Sequence, residues 1–459
     1  MTTPQPLKYN LFTSFAPGGP PTAMWNHPES RSFDYLKLDH WIALAKALEA
    51  AGFDGIFWAD HSGVRDVYKG SWETTVREAV QFPSGDPLLL VAALAAATTE
   101  LGFAFSANVI ADHPYTFARK VSTLDHLTRG RVGWNIVTSL QRSAWQNLGH
   151  DDRASHADRY RRAEEFVQVV YKLLEGSWED DAVVRQAEQG VYADPAKVHD
   201  VNHDGEFYRV PGIHVLEPSP QRIPVLFQAG TSDDGRDFAA RNAEAMFMFS
   251  FSPEATAKVV ADVHARMAKV GRRPEDILFY QALSVVVGST EEEAQKKNAL
   301  AEEWLSSETA LAVASSNLDV DMGSIDPDRP MGDFKTEALS GTLKMIAESA
   351  PDPSRTFRQY ASRMGKQRVV GTPDQIADEI ERWQAAGVGG INLWSVTGTN
   401  DWYTILNELA PVLKKRGLMR ENYVPGTMRE KLFAGAEDVG PRINERHPAA
   451  AYRHRQDLA

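Results

Sequence analysis

The chain of 459 residues contains no cysteine. Disulfides and thiolate chemistry are therefore excluded, and a cytoplasmic setting is expected. No apolar run approaches the ~18 residues that a membrane-spanning helix needs. The opening MTTPQPLKYN lacks the basic start and apolar stretch of a signal peptide. Positive charge is also short: 49 Lys and Arg stand against 62 Asp and Glu, for a net charge of -13. That balance speaks against nucleic acid and against anionic membrane surfaces as partners. His-x-His and His-Glu-x-x-His are missing. His199 and His203, in VHDVNHDG, have no metal-ligand spacing, so no metal is expected.

Apolar residues make up 43% of the chain and charged residues 24%, which allows a large core. At ~150 residues per domain the length suggests about three domains, but barrels run longer as one. Eight apolar runs of strand length alternate with helical periodicity: YNLFTSF (9–15), GIFWAD (55–60), GFAFSANV (102–109), RVGWNIVTS (131–139), PVLFQAG (224–230), AMFMFS (245–250), ILFYQALSVVVG (277–288) and GINLWSV (390–396). Most are apolar throughout, as strands buried on both faces are. The pattern predicts one (β/α)8 TIM barrel over 1–459, with large insertions after the fourth and seventh β/α units. Irregular composition marks the insertions at about 61–85, 175–222 and 307–366, and a polar wrapping tail at 418–459. A doubly wound sheet is the alternative. The absence of Gly-x-Gly-x-x-Gly after any early strand weakens it. Thr290 and Glu293 stand at capping-box spacing before a helix.

In a barrel of this kind the chemistry lies at the C-terminal ends of the strands. Polar residues recur there: Asp60-His61, Ser106 and Asn108, Asn135 with Thr138-Ser139, Gln228 through Ser232, and Asn392 with Ser395. Most are neutral amides and hydroxyls, which suit a planar heterocycle better than a hydrolytic site does. The plain alternative is that such residues cap the next helix. QAGTSDDG (228–235) ends a strand at Gly230 and opens a helix near Asp233, the arrangement that attracts phosphate. A Ser cap followed by acids would read the same way. In HADRY (156–160), Arg159 and Tyr160 could neutralise and donate to a phosphate, or form a surface ion pair. His113, in DHPY, could be catalytic, or a buried imidazole bonded to backbone.

Several segments carry a family resemblance: WAD (58–60), DHPY (112–115), STLDHLTRGRVGWNIVTS (122–139), DRYRRAEEF (158–166), YKLLEGSWEDDAV (171–183), DPAKVH (194–199), EPSPQRIPVLFQAG (217–230) and GTMREKL (426–432). Together they resemble the bacterial-luciferase-like superfamily nearly end to end. Within it, the resemblance is to the flavin-dependent monooxygenases that include those of nitrilotriacetate, dibenzothiophene sulfone, dimethylsulfide and long-chain alkanes. It implies a barrel that binds reduced FMN, delivered by a separate NAD(P)H-dependent flavin reductase. Oxygen then adds to the flavin, and the resulting peroxide oxidises the substrate. A homodimer or homotetramer is also implied. Carried over, Asp60, Ser106 and Asn135 face the isoalloxazine, with Thr138 lining the same cup. Tyr160, Gly230, Thr231 and Ser232 hold the phosphate, and Arg159 and Ala229 are further cofactor-binding candidates. The other readings are a deazaflavin-dependent oxidoreductase of the same superfamily, which works without oxygen, and a non-catalytic flavin-binding protein.

The chain departs from these relatives. Where the family carries Arg just before the second Gly of the phosphate loop, Asp234 stands; Arg236 follows. The alkane and dimethylsulfide branches place Cys and His in the loop after strand one, here SFAPGGPP. The alkane branch has Tyr and His where Arg65 and Leu140 stand; Gln81 is retained and, with His113, is a catalytic candidate. These losses argue against a long-chain alkane specialist. The expected pocket of Phe12, Phe15, Gln81, Leu140, Phe247 and Phe249 favours a small apolar substrate: an organosulfur molecule, a hydrocarbon or a halogenated aromatic.

Overall fold

A computed structural model describes residues 5–17, 24–324, 330, 356, 368–397 and 399–454. All eight apolar runs are strands: β1 Lys8–Thr13, β2 Gly55–Trp58, β3 Gly102–Asn108, β4 Val132–Val137, β5 Val225–Gln228, β6 Ala245–Met248, β7 Leu278–Val287 and β8 Gly390–Ser395. Each pairs in parallel with its neighbour, and β8 returns to β1 through Lys8↔Gly390 and Leu11↔Leu393. The sheet is thus a closed barrel, not the doubly wound alternative.

The strands are apolar throughout because both faces are covered. Phe12, Phe57, Ala104, Phe227, Tyr280 and Trp394 point inward and form one buried cluster. Leu11, Ile56, Phe103, Trp134, Leu226 and Leu393 alternate with them and pack under the helices. Gly133 on β4 is there because the barrel is tight: a Cβ would lie 2.8 Å from the Phe227 ring.

Helices follow the strands, among them α1 Leu38–Ala51, α2 Leu88–Ala97, α3 Pro114–Thr128, α4 His156–Tyr171, α5 Asp233–Asn242 and α6 Pro253–Lys269. Helix Glu291–Trp304 is capped by Thr290, which accepts from the Glu293 N–H at 3.2 Å. The expected reciprocal bond goes one residue further back: the Glu293 carboxylate takes the N–H of Ser289 at 2.9 Å.

The first insertion carries short helices at Tyr68–Gly70 and Glu73–Arg77. The second holds two antiparallel hairpins, Val183–Gln186 with Val191–Ala193 and His203–Asp204 with Arg209–Val210. It starts slightly later than expected, because α4 runs on as a wider helical turn through Gly176. The third opens with helix Ser307–Leu318; beyond Ser324 it lies mostly outside the described residues. That helix packs on the first insertion, where Tyr68 and Lys69 both bond Glu308, at 3.0 and 2.9 Å. A short strand, Val369–Gly371, extends the sheet beside β7.

The tail closes the barrel floor. Met428 and Leu432, one helical turn apart, join the interior cluster, and the Met428 N–H bonds the Gly130 carbonyl at 2.7 Å. Arg429 between them is buried and grips Glu244 with two bonds, at 2.6 and 2.9 Å. No helix among the described residues is long and apolar enough to cross a membrane.

Candidate active site

Ser106 and Asn135 are register partners on β3 and β4, near the C-terminal rim. The Asn135 amide donates to Ser106 Oγ at 2.8 Å, and Ser106 donates to the Trp58 carbonyl at 3.1 Å. Asn135 is only 4% exposed, yet its Oδ1 has no hydrogen-bond partner. The same holds for Oε1 of Gln228, at the end of β5. A buried amide oxygen left unbonded is costly, roughly 1–3 kcal/mol. The Asn135 oxygen, on the inner face near the rim, marks a place built for a donor from elsewhere, whereas Gln228, next to the inward Phe227, takes the outer face of the sheet. Thr138 is half-buried just beyond β4, and Ser139 takes a positive φ of 56°.

Asp60 and His61 follow β2 and line a cleft of about 760 Å3 with Phe82, Asp86 and Ser143. Burial raises the Asp60 carboxyl to about 6, and Asp86 adds to the effect. Burial, with Arg65 nearby, lowers His61 to about 4. A neutral imidazole thus sits beside a carboxyl that exchanges its proton near neutrality.

At the start of α5, Ser232 is the helix cap and accepts from the Gly235 N–H at 3.2 Å. The capping role and the open helix terminus coexist here. A Cβ on Gly230 would lie 2.6 Å from the Tyr160 hydroxyl, and one on Gly235 2.8 Å from the Gly230 carbonyl. Only bare backbone allows Tyr160, Gly230 and the first turn of α5 to meet. Burial raises the Tyr160 phenol, while its bond to Ser232 opposes the rise. Thr231 is half-buried and Ala229 exposed beside them. Arg159 is buried, its Nη1 3.4 Å from the Ala154 carbonyl and its Nε without a partner. Arg236 does not stand in for the family arginine. Its Nε bonds the Thr231 carbonyl at 2.9 Å and its Nη1 bonds Asp262 at 3.1 Å. Asp234 instead pairs with His156 at 2.8 Å, and the other ring nitrogen of His156 lies 3.5 Å from Ser232 Oγ. His156 opens HADRY, but only the arrangement in space singles it out.

Phe12, Phe247 and Phe249 converge near the barrel mouth. Phe12 lies 4.9 Å from Phe247 and 5.6 Å from Trp394, and Trp394 lies 5.6 Å from Phe249. Phe57 stacks on Phe247 at 5.7 Å. Sequence reasoning missed Phe57 and Trp394, although strand alternation from Phe12 points to both. Phe15 lies beyond the end of β1, where alternation no longer applies. It packs edge-on against Tyr35 and Trp41, away from this group. Leu140 is exposed, and its carbonyl accepts from Arg153. Gln81 is buried and accepts twice from Arg65, at 2.5 and 3.2 Å, while Arg65 also bonds Asn317 at 3.1 Å. Arg65, held by Gln81, thus joins the first insertion to the third.

Other rim residues are spent on local structure. Asn108 accepts from the N–H groups of Ile110 and Ala111. His113 is exposed rather than buried, caps α3 by accepting from Tyr115 at 3.3 Å, and packs edge-on against Tyr208. Asn392 lies deeper, bonded by Asn10 at 3.0 Å inside the barrel.

This geometry has close relatives. Dimethyl-sulfide monooxygenase of Hyphomicrobium sulfonivorans is 40% identical over 435 residues, 94% of this chain and 90% of the relative. Long-chain alkane monooxygenase of Geobacillus thermodenitrificans (strain NG80-2) is 39% identical over 449 residues, 98% of each. A crystal structure of riboflavin lyase with modified FMN and riboflavin superposes with a TM-score of 0.90 at 35% identity, covering 98% of this chain and 100% of that one. The luciferase-like monooxygenase family model matches residues 11–390. The chain belongs to the luciferase-like monooxygenase family.

Proposed function

We propose that this protein is the oxygenase component of a two-component monooxygenase, using reduced FMN and O2 on a small apolar compound. One observation carries the reading: the buried amide oxygen of Asn135, inside the barrel near the rim where it presents its ligand face, lacks a donor. The N–H edge of a reduced flavin supplies donors of that kind. A bare-backbone cradle at Gly230 and Gly235, with the Tyr160 hydroxyl and the start of α5, suits its phosphate.

In this reading Asn135, Ser106 and Asp60 hold the ring, with Thr138 beside them. Tyr160, Thr231 and Ser232 bind the phosphate, with Ala229 and Gly230 as backbone and Arg159 as the charge behind Tyr160. Reduced FMN supplies the two electrons that, with O2, put one oxygen atom into substrate and the other into water. The chain's own part is to orient the ring through neutral contacts and exclude water with Phe12, Phe57, Phe247, Phe249 and Trp394. Asp60, held near 6, can give or take a proton at its carboxylate oxygen.

The aromatic lining supports an organosulfur, hydrocarbon or halogenated aromatic substrate. The resemblance extends the reading to a separate NAD(P)H-dependent flavin reductase, a cytoplasmic location and a homodimer or homotetramer. Anaerobic titration with reduced FMN tests the core of it: saturable uptake is expected, and its absence would overturn the assignment. With a reductase added, oxygen consumption coupled to a product heavier by one oxygen atom identifies the substrate.

A further inference from the structure

The second insertion and the tail meet at the opposite end of the barrel from the site above. Helix α4 descends from the rim after β4, so the chain reaches the floor near Gly176. There Trp178 and Val198 form an antiparallel bridge. Backbone bonds flank it, from Glu179 to the Lys197 carbonyl at 3.0 Å and from His199 to the Ser177 carbonyl at 2.7 Å. This pairing sets two side chains together: His199 Nε2 lies 2.8 Å from Glu179 Oε1.

His454 arrives from the far end of the chain. Its ring stacks on His199, with centroids 3.9 Å apart and planes 26° apart. Its Nε2 donates to the Gly176 carbonyl at 2.6 Å. A metal would take the other ring nitrogen, with the stacked ring tilting to bring its lone pair to the ion, and the carbonyl bond is the outer-shell arrangement that orients metal-bound imidazoles. The approach is fixed by its neighbours. Arg453 bonds buried Glu175 at 2.8 Å and the Ile443 carbonyl at 2.5 Å, and the Tyr452 hydroxyl accepts from Gln168 at 3.0 Å. The nearby Lys197 ammonium is paired with Asp181.

One ligand atom from each of Glu179, His199 and His454 lies within 4.8 Å of the others. Two imidazoles and a carboxylate form a His2Glu donor set that takes Zn2+ with water completing the shell. Nitrogen donors disfavour Mg2+ and Ca2+. We propose that Glu179, His199 and His454 form a Zn2+ site that clips the end of the tail to the second insertion. Sequence spacing is silent here because the third ligand lies 255 residues beyond the second. The site lies at the face opposite the strand ends that carry the flavin reading, and it joins two segments far apart in the chain.

Full-length protein, stripped with a chelator and dialysed, is titrated with Zn2+ by calorimetry and with Co2+ by visible absorption. We expect one saturable equivalent and a Co2+ spectrum of four- or five-coordinate intensity. His199→Ala and His454→Ala should each weaken uptake at least tenfold. Carboxypeptidase digestion of the tail should slow on adding Zn2+ to the unsubstituted protein and not to His454→Ala. No saturable uptake, or uptake by both variants as tight as that of the unsubstituted protein, would overturn the site. His454 lies on the surface near the chain end, so its variant reports even where His199→Ala does not fold.

Discussion

At the floor of the barrel, Arg131, Arg272 and Arg429 are buried and direct most of their N–H groups to carbonyls and to Glu244. Arg131 takes carbonyls of Ala95, Thr98 and Leu101 at 2.9–3.1 Å, and Arg272 those of Ala240 and Ala243 at 3.0 and 2.8 Å. At the rim, Asn135 and Gln228 are as deeply buried, yet each keeps an oxygen without a donor. Direction of the chain explains much of the contrast. Every helix of a β/α barrel presents its C-terminal carbonyls to the floor and its N-terminal amides to the rim. The floor therefore gathers partial negative charge, which arginine neutralises permanently. The rim gathers partial positive charge and is left for an anionic ligand. One end is neutralised largely by the protein's own arginines; the other is left to what binds there.

Four substitutions would break or sharpen that contrast. Arg429→Ala should have the largest effect. It leaves the buried Glu244 without its counter-charge, keeping only the Leu226 N–H at 3.0 Å, a loss of about 3–5 kcal/mol, read as a fall in unfolding midpoint. A loss under ~1 kcal/mol would mean the floor is not held by its ion pairs.

Asp60→Asn tests the rim. Burial holds this carboxyl up to about 6, so the folded protein prefers the proton. Its charge destabilises the fold increasingly as pH rises from near 4, and fully above about 6, by up to ~3 kcal/mol. The variant should melt higher than the parent at pH 8, with the gain disappearing at pH 4. An equal gain at both values would contradict the assignment.

Asn135→Leu should weaken reduced-FMN binding by about 1–3 kcal/mol while the fold remains intact. Unchanged affinity, measured by anaerobic titration, would remove the amide from the flavin site. Ser232→Ala should give the smallest change, about 1 kcal/mol of helix stability through the lost cap. Weaker binding of FMN but not of riboflavin is expected as well; equal loss for both would separate Ser232 from the phosphate.

The strands could be read from sequence because burial on both faces leaves them apolar without alternation. Asn135 could be read as an anomaly within such a strand, although its bond to Ser106 and its orphaned oxygen needed the register of β3 against β4. Phe15 looked like Phe12 because both belong to one aromatic run, but β1 ends at Thr13 and the chain turns away. Arg236 looked like the missing phosphate partner because distance along the chain says nothing about Asp262, which binds it from α6. GTMREKL lies in what read as a polar wrapping tail, because four of its seven residues are polar or charged. Its Arg429 and Lys431 are buried only because partners from distant segments wait for them.

That last segment has a consequence for synthesis. Met428 and Leu432 stopper a cylinder whose eight staves all precede them in the chain. A nascent polypeptide can assemble the cylinder before its stopper emerges, but it then holds phenylalanine rings open to solvent from beneath. Such an intermediate would be the form most prone to self-association. Closure of the barrel floor therefore waits for a segment synthesised after every one of its strands.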